Sequence, residues 1–246
     1  MVYGWVSNRD GQDRFVPRPR TRNPKASAKT HDLAGIVTLE RVNAPKQARS
    51  EQRLQDIIQA LESLLDGRAF EEITIPDIAA RAGCVPASIY ARFRDKNSIL
   101  VALHESIHNR QMAQIDENMR LERHAELSLD ESIFMIFRNV ARHYTRHRNL
   151  LRPAFLLGDS EIYERAANLI RHASERIAAI VRQKTKAGSH DQLDQRVDLG
   201  TRAVYALLQQ RMVFHPFATG RNMPANDDEM AAELALLFKR NLSQDA

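Results

Sequence analysis

A chain of 246 residues, 43% hydrophobic and 27% charged, suits one or two domains that can bury a sizeable core. No apolar run approaches the roughly 20 residues a membrane helix requires, and no apolar block near the start resembles a secretory leader, so neither membrane insertion nor secretion is expected. A single cysteine, Cys84, excludes an intramolecular disulfide framework, and a net charge of +5 leaves room for an acidic partner.

That charge is unevenly placed. Residues 1–49 hold ten Lys/Arg against four Asp/Glu, so the remainder of the chain is close to neutral. The same stretch contains Pro17, Pro19, Pro24 and Pro45 and has no sustained apolar periodicity. Residues 1–48 therefore read as a disordered basic arm that cannot bury enough surface to offset its ordering entropy. Such an arm could lie along phosphates and gain affinity through counterion release. An inert tail, or a start assigned too far upstream, fits the composition equally well.

From Ser50 onward the periodicity is helical, and an all-α fold is expected. Leu54, Ile57, Ile58, Leu61, Leu64 and Leu65 mark one face of a first helix, with Gly67 suited to a left-handed closing position. The stretch ITIPDIAARAGCVPASIYARF, residues 73–93, then holds two short helices. Thr74 is a good N-cap with Asp77 three residues on, and Ile78, Ala79 and Ala82 form an inner face that ends at Gly83. Pro86 suits the first position of the next helix, where Ile89 and Phe93 point inward. Two short helices joined by a tight turn with glycine are the helix-turn-helix pattern. The small residues left on the second helix's outer side would let its backbone approach a major groove.

Residues 53–103 resemble the DNA-binding domain of the TetR family of transcriptional repressors. The likeness runs without a gap through Arg53, Gly67, Phe70, the run TIPDIAARAG, Ser88-Ile89-Tyr90, Phe93, Lys96 and Ser98-Ile99-Leu100. Two departures concern the start of the recognition helix, where Val85 and Pro86 replace the usual serine cap and Ala87 stands where glycine is frequent. The resemblance implies a DNA-binding domain over 49–96 and a helical regulatory domain over 97–246 that binds an effector and dimerises. It also implies DNA contacts from Arg53, Thr74, Pro86, Ala87, Ser88, Tyr90, Arg92 and Lys96. Tyr90 could instead be a packing residue, Arg92 a solvated charge and Ser88 the partner of a local backbone group. Cys84 reads as a small packing residue, with a redox-sensing thiol as the alternative.

A second motif points elsewhere. His104-Glu105-Ser106-Ile107-His108 matches H-E-x-x-H, in which two histidines one helical turn apart can hold zinc beside a general base. The extended peptidase form fails, because Gln111 and Gln114 stand where glycine and histidine are needed. Glu131 is left as a distant candidate ligand. A zinc-dependent hydrolase is thus the rival reading, and chance accounts for the pattern in a chain with nine histidines. A milder version pairs His104 and His108 with His143 and His147, near the end of a helix expected over 130–147, in a metal-responsive regulator. No cofactor is expected otherwise.

Helices are expected to continue to the C-terminus, broken near 121–129, 148–158, 187–191 and 215–226. Segments 193–214 and 229–242 are apolar over more than one face, which requires burial on more than one side. The resemblance implies a homodimer through these last two helices, with the recognition helices one DNA turn apart on a palindromic site. A purely intramolecular core is the alternative. Phe134, Phe137, Arg138, Tyr144, Phe155 and Tyr163 are candidates for an effector pocket, although each could equally be plain core. The expected protein is a cytoplasmic, ligand-responsive DNA-binding regulator, most simply a repressor. A dimerising relative whose helix-turn-helix has lost DNA binding is the third alternative.

Overall fold

The first helix, α1 (Ala48–Leu65), turns its leucine and isoleucine stripe inward, with Ile57 and Leu61 fully buried. The computed structural model describes residues 2–7, 13–18, 48–185, 190–214, 224 and 226–242. Gly67 does not take the left-handed conformation; the chain turns after α1 through Arg68 N–H donating to the Leu64 carbonyl at 3.1 Å. A single turn at Phe70–Glu72 then leads to α2 (Ile75–Arg81) and α3 (Pro86–Tyr90).

The caps are those the sequence predicts. Thr74 Oγ1 accepts from the Asp77 N–H at 3.3 Å, while the Asp77 carboxylate accepts from the Thr74 N–H at 2.9 Å. These bonds satisfy donors that the helix start would leave unpaired. Thr74→Ala should lower stability by about 1 kcal/mol in urea unfolding; an unchanged midpoint would show the cap to be dispensable. Gly83, at φ 61°, carries the left-handed residue of the turn between α2 and α3. Val85 makes no side-chain cap, and α3 begins directly on Pro86.

Helix α4 (Lys96–Asn118) is capped by Asp95, whose carboxylate accepts from the Ser98 N–H at 2.8 Å. It is followed by α5 (Leu121–His124), α6 (Leu129–Arg146), α7 (Arg148–Leu156), α8 (Ser160–Lys184), α9 (His190–Phe214) and α10 (Asp227–Leu242). Two of the predicted breaks thus contain helix. Residues 121–124 form one turn, and 148–156 form α7 despite Pro153. Burial of Leu150, Leu151 and Ala154 outweighs the one helical hydrogen bond that Pro153 cannot donate. The chain turns instead at Gly158, φ 72°. The remaining breaks, near 187–191 and 215–226, fall largely outside the described residues.

Two apolar clusters organise the helices. One joins α1 to α3 and the first half of α4 to Leu150, Leu151 and Ala154 of α7. The other is built from α6, α8, α9 and α10 around the far end of α4. Helix α4 therefore belongs to both, buried on several sides from Ser98 to His104. Helices α9 and α10 cross closely at Gly200, where a Cβ would stand 2.7 Å from the Phe238 ring.

The segment whose composition predicts a disordered arm contains regular structure. Val2–Ser7 (β1) and Asp13–Arg18 (β2) pair antiparallel, with Val2 opposite Arg18 and Ser7 opposite Asp13. Both strands are rich in β-branched and aromatic residues, Val2, Tyr3, Trp5 and Val6 against Phe15 and Val16, a local preference that proline and charge counts do not register. Residues 19–47 of that segment lie outside the described residues.

Candidate nucleic-acid interface and interior cavity

Helix α3 has one buried anchor, Ile89, and its remaining side chains are free of the core. Pro86 and Ala87 are exposed, Ser88 is half-buried, and Tyr90 is 57% exposed with its phenol clear of the core. Thr74, at the start of α2, is also exposed. These five predicted contacts are small or hydroxyl-bearing groups that keep accessible surface. Phe93, one turn beyond Ile89, is buried as its spacing predicts.

The three predicted cations are placed differently. Arg53 Nη1 donates to the carbonyls of Ala82 at 3.0 Å and Gly83 at 3.3 Å, with Asp56 at 3.6 Å. Arg92 donates to the Ser88 carbonyl at 2.9 Å and to Ser50 Oγ at 3.2 Å. Lys96 Nζ donates to the carbonyls of Phe70 and Ile73, both at 2.8 Å, and sits 4.3 Å from the centre of the Phe70 ring. Burial lowers the Lys96 pKa, an effect that Glu71 opposes. All three therefore tie the helix pair or the turn before it to its own backbone or to α1. Carbonyls at turns and helix ends need donors, and these long side chains supply them.

Between α4, α6, α7, α8 and α9 lies a cavity of about 850 Å³, mouth included. From α4 it takes His104, His108, Gln111, Ile115 and Asn118, the residues that a 3.6-residue period puts on one side. From α6 it takes Ile136, Asn139, Val140, His143 and Tyr144. Of the six predicted pocket residues, Tyr144 and Phe155 line the cavity and the other four do not. Phe137 is fully buried against Phe238 of α10, ring centres 5.2 Å apart and nearly perpendicular. Phe134 stacks on the Arg138 guanidinium at 5.6 Å. Tyr163 is 47% exposed, its hydroxyl donating to the Phe155 carbonyl at 2.9 Å. The spacing from His104 along α4 was a usable signal for the residues missed, Gln111 and Asn118 among them. Nothing local marks Tyr205 or Gln209, which α9 brings in from 61 and 65 residues beyond Tyr144, with Gln209 donating to the Tyr144 hydroxyl at 3.2 Å.

The histidines of the zinc pattern are part of this cavity. Burial, reinforced by Arg165 and His108, pushes His104 down to about 4. Burial with His147 and His104 nearby pushes His143 down to about 3. His104 Nδ1 and His143 Nε2 are buried with no hydrogen-bond partner in the protein. His104 of one pair lies near enough to His143 of the other to act on its charge, and within the second pair the His143 and His147 rings lie 4.6 Å apart. The carboxylates do not join them. Glu105 pairs with Arg165 at 3.5 Å, and Arg165 pairs with Glu161 at 2.9 Å. Glu131 caps α6, accepting from the Ser128 N–H at 2.8 Å. Among the described residues, no three His, Cys, Asp or Glu are grouped to hold a metal ion.

Residues 57–103 match the family model described as bacterial regulatory proteins, tetR family. No curated protein matches the chain. Solved structures with the same fold include a transcriptional regulator from Cytophaga hutchinsonii, 18% identical, TM-score 0.58, with 78% of this chain and 97% of that one covered. A TetR-family regulator from Mesorhizobium loti is 15% identical, TM-score 0.56, with 80% and 98% covered. FadR from Bacillus subtilis, solved with stearoyl-CoA, is 14% identical, TM-score 0.50, with 78% and 99% covered. No helix among the described residues is long and apolar enough to cross a membrane.

Proposed function

We propose, from the premise that the chain is a DNA-binding transcriptional regulator with a tetR-family DNA-binding domain at residues 57–103, that it acts as a dimeric repressor released from a palindromic operator by a small effector. The observation that carries this reading is the division of labour in the helix pair. Arg53, Arg92 and Lys96 are engaged with carbonyls and a hydroxyl of the domain itself, while Thr74, Pro86, Ala87, Ser88 and Tyr90 keep accessible surface. A helix that spends so few side chains on its own core is free to enter a major groove, hydroxyls to phosphates and small residues to base edges.

The cavity supports the effector half of the reading. It adjoins α4, the helix shared by both apolar clusters, so a ligand that favours one position of α4 would also shift α1 to α3. FadR, solved in complex with stearoyl-CoA, supports the idea that a protein of this fold can bind a ligand. A second copy of the chain is the proposed partner for α9 and α10. Leu199 and Leu207 on the first and Leu236 and Leu237 on the second are all at least 40% exposed, an apolar surface that self-association would cover.

Selection of bound sequences from a random duplex pool tests the reading. A palindromic consensus is expected, with affinity falling steeply as salt rises. Tyr90→Ala should weaken that binding by roughly tenfold, the worth of one good phosphate or base contact, with Tm unchanged because the side chain stands outside the core. No preference for any duplex at low ionic strength would overturn the reading.

A further inference from the structure

The cavity lining contains no Asp, Glu, Lys or Arg. Its apolar wall comes from Ile107, Ile115, Ile136, Leu151, Phe155 and Leu169, and its mouth from the exposed carboxamides of Gln114 and Asn139. The nearby cation Arg165 is held by Glu105 and Glu161. A carboxylate or phosphate drawn inside would lose its hydration and find no cation in the lining, and an ammonium would find no carboxylate; the neutral imidazoles, carboxamides and phenols there offset such a loss only in part. His104 and His143 are among the lining residues, and each keeps one buried ring nitrogen unmatched, His104 Nδ1 and His143 Nε2. A neutral imidazole nitrogen either donates or accepts according to its tautomer, and a hydroxyl group can answer in both senses, whereas a carbonyl can only accept.

We infer that the cavity takes an uncharged ligand, a small hydrocarbon or aromatic body bearing a hydroxyl group that hydrogen-bonds to His104 Nδ1, His143 Nε2 or both. This rests on the proposed effector role of the cavity and adds the chemical class of what fills it. Burial that keeps both imidazoles neutral at pH 7 agrees with an uncharged guest. The hydrocarbon part supplies affinity through the apolar wall, and the hydroxyl supplies selectivity, because a site with waiting polar atoms discriminates against an analogue that leaves them unpaired.

A matched set of probes reads each element separately: 4-hexylphenol, hexylbenzene and 4-hexylbenzoate, titrated calorimetrically into the full chain at pH 7.5. The phenol should bind at least tenfold more tightly than either analogue. In the double variant His104→Phe, His143→Phe, the preference for the phenol over hexylbenzene should shrink to within about twofold, while hexylbenzene still binds. Equal or tighter binding of the benzoate, retention of the phenol's advantage in the double variant, or failure of all three to bind would overturn the inference. Operator release measured in parallel separates this from the effector reading. Phenol binding with the expected selectivity but no release would leave the ligand class standing and sink the effector role. Release by the benzoate or by an acyl-CoA alone would do the reverse.

Discussion

Phe137→Ala is expected to destabilise the protein by about 3–5 kcal/mol in urea unfolding, the cost of emptying a fully buried aromatic site. The ring lies on the face of α6 that also presents Ile133 and Ala141, and it meets Phe238 edge to face, so truncation removes apolar burial and an aromatic pair together. Neighbouring α10 is held to α6 partly by this contact, which leaves little freedom to collapse around the void. Tyr163→Phe offers the contrast. It deletes one exposed hydroxyl bond to the Phe155 carbonyl and should cost less than about 1 kcal/mol. A Phe137→Ala variant within 1 kcal/mol of the parent would show that α6 and α10 are not packed through this pair.

Loss of stability in mild acid should be as large. His104 and His143 are neutral in the folded chain and held near 4 and 3, against 6.5 for a free imidazole. Between those limits the unfolded chain binds more protons than the folded one. Stability is therefore full above about pH 6.5 and is lost as the pH falls toward 4 and then 3. Each unit of displacement corresponds to about 1.4 kcal/mol, so the pair is worth several kcal/mol across this interval. The surroundings reinforce the direction. Arg165, His108, His147 and Arg146 all disfavour a further positive charge here, and Asp159 alone among the named neighbours of His104 opposes them. Carboxylates held low by their bonds, such as Asp77 and Asp95, add losses only at lower pH. The Tm of the parent should fall steeply between pH 6.5 and 4, and His104→Phe, His143→Phe should flatten that slope. Parallel profiles for the two proteins would refute the assignment.

The helix pair was legible because its signals are local. Ile89 and Phe93 are one turn apart, Thr74 faces Asp77 across three residues, and Gly83 announces a turn. Each can be judged within a window shorter than the element it specifies. The braces were illegible for the opposite reason. Arg53 finds its carbonyls 29 and 30 residues on, and Lys96 reaches back 26 and 23 residues, so these partners lie beyond any local window. The cavity was half legible. Helix α6 is apolar on two faces, and composition cannot say that Ile136, Val140 and His143 line the void while Phe137 meets Phe238 of α10. Aromatic residues drew the choice toward Phe134 and Phe137, whereas the actual lining mixes aliphatic side chains with histidines and carboxamides. In the zinc pattern the spacing correctly placed His104 and His108 on a common face, but spacing alone is silent about Glu105, which Arg165 claims.

The bonds from Arg53 to the carbonyls of Ala82 and Gly83 have a bearing on how such a protein could respond to a signal. They tie the turn of the helix pair to α1, so in the proposed dimer each reading head would travel as a solid piece. A messenger that disturbs α4 would then alter the distance and tilt between two heads without retuning either one, leaving the letters recognised in each half-site the same whether or not the messenger is present.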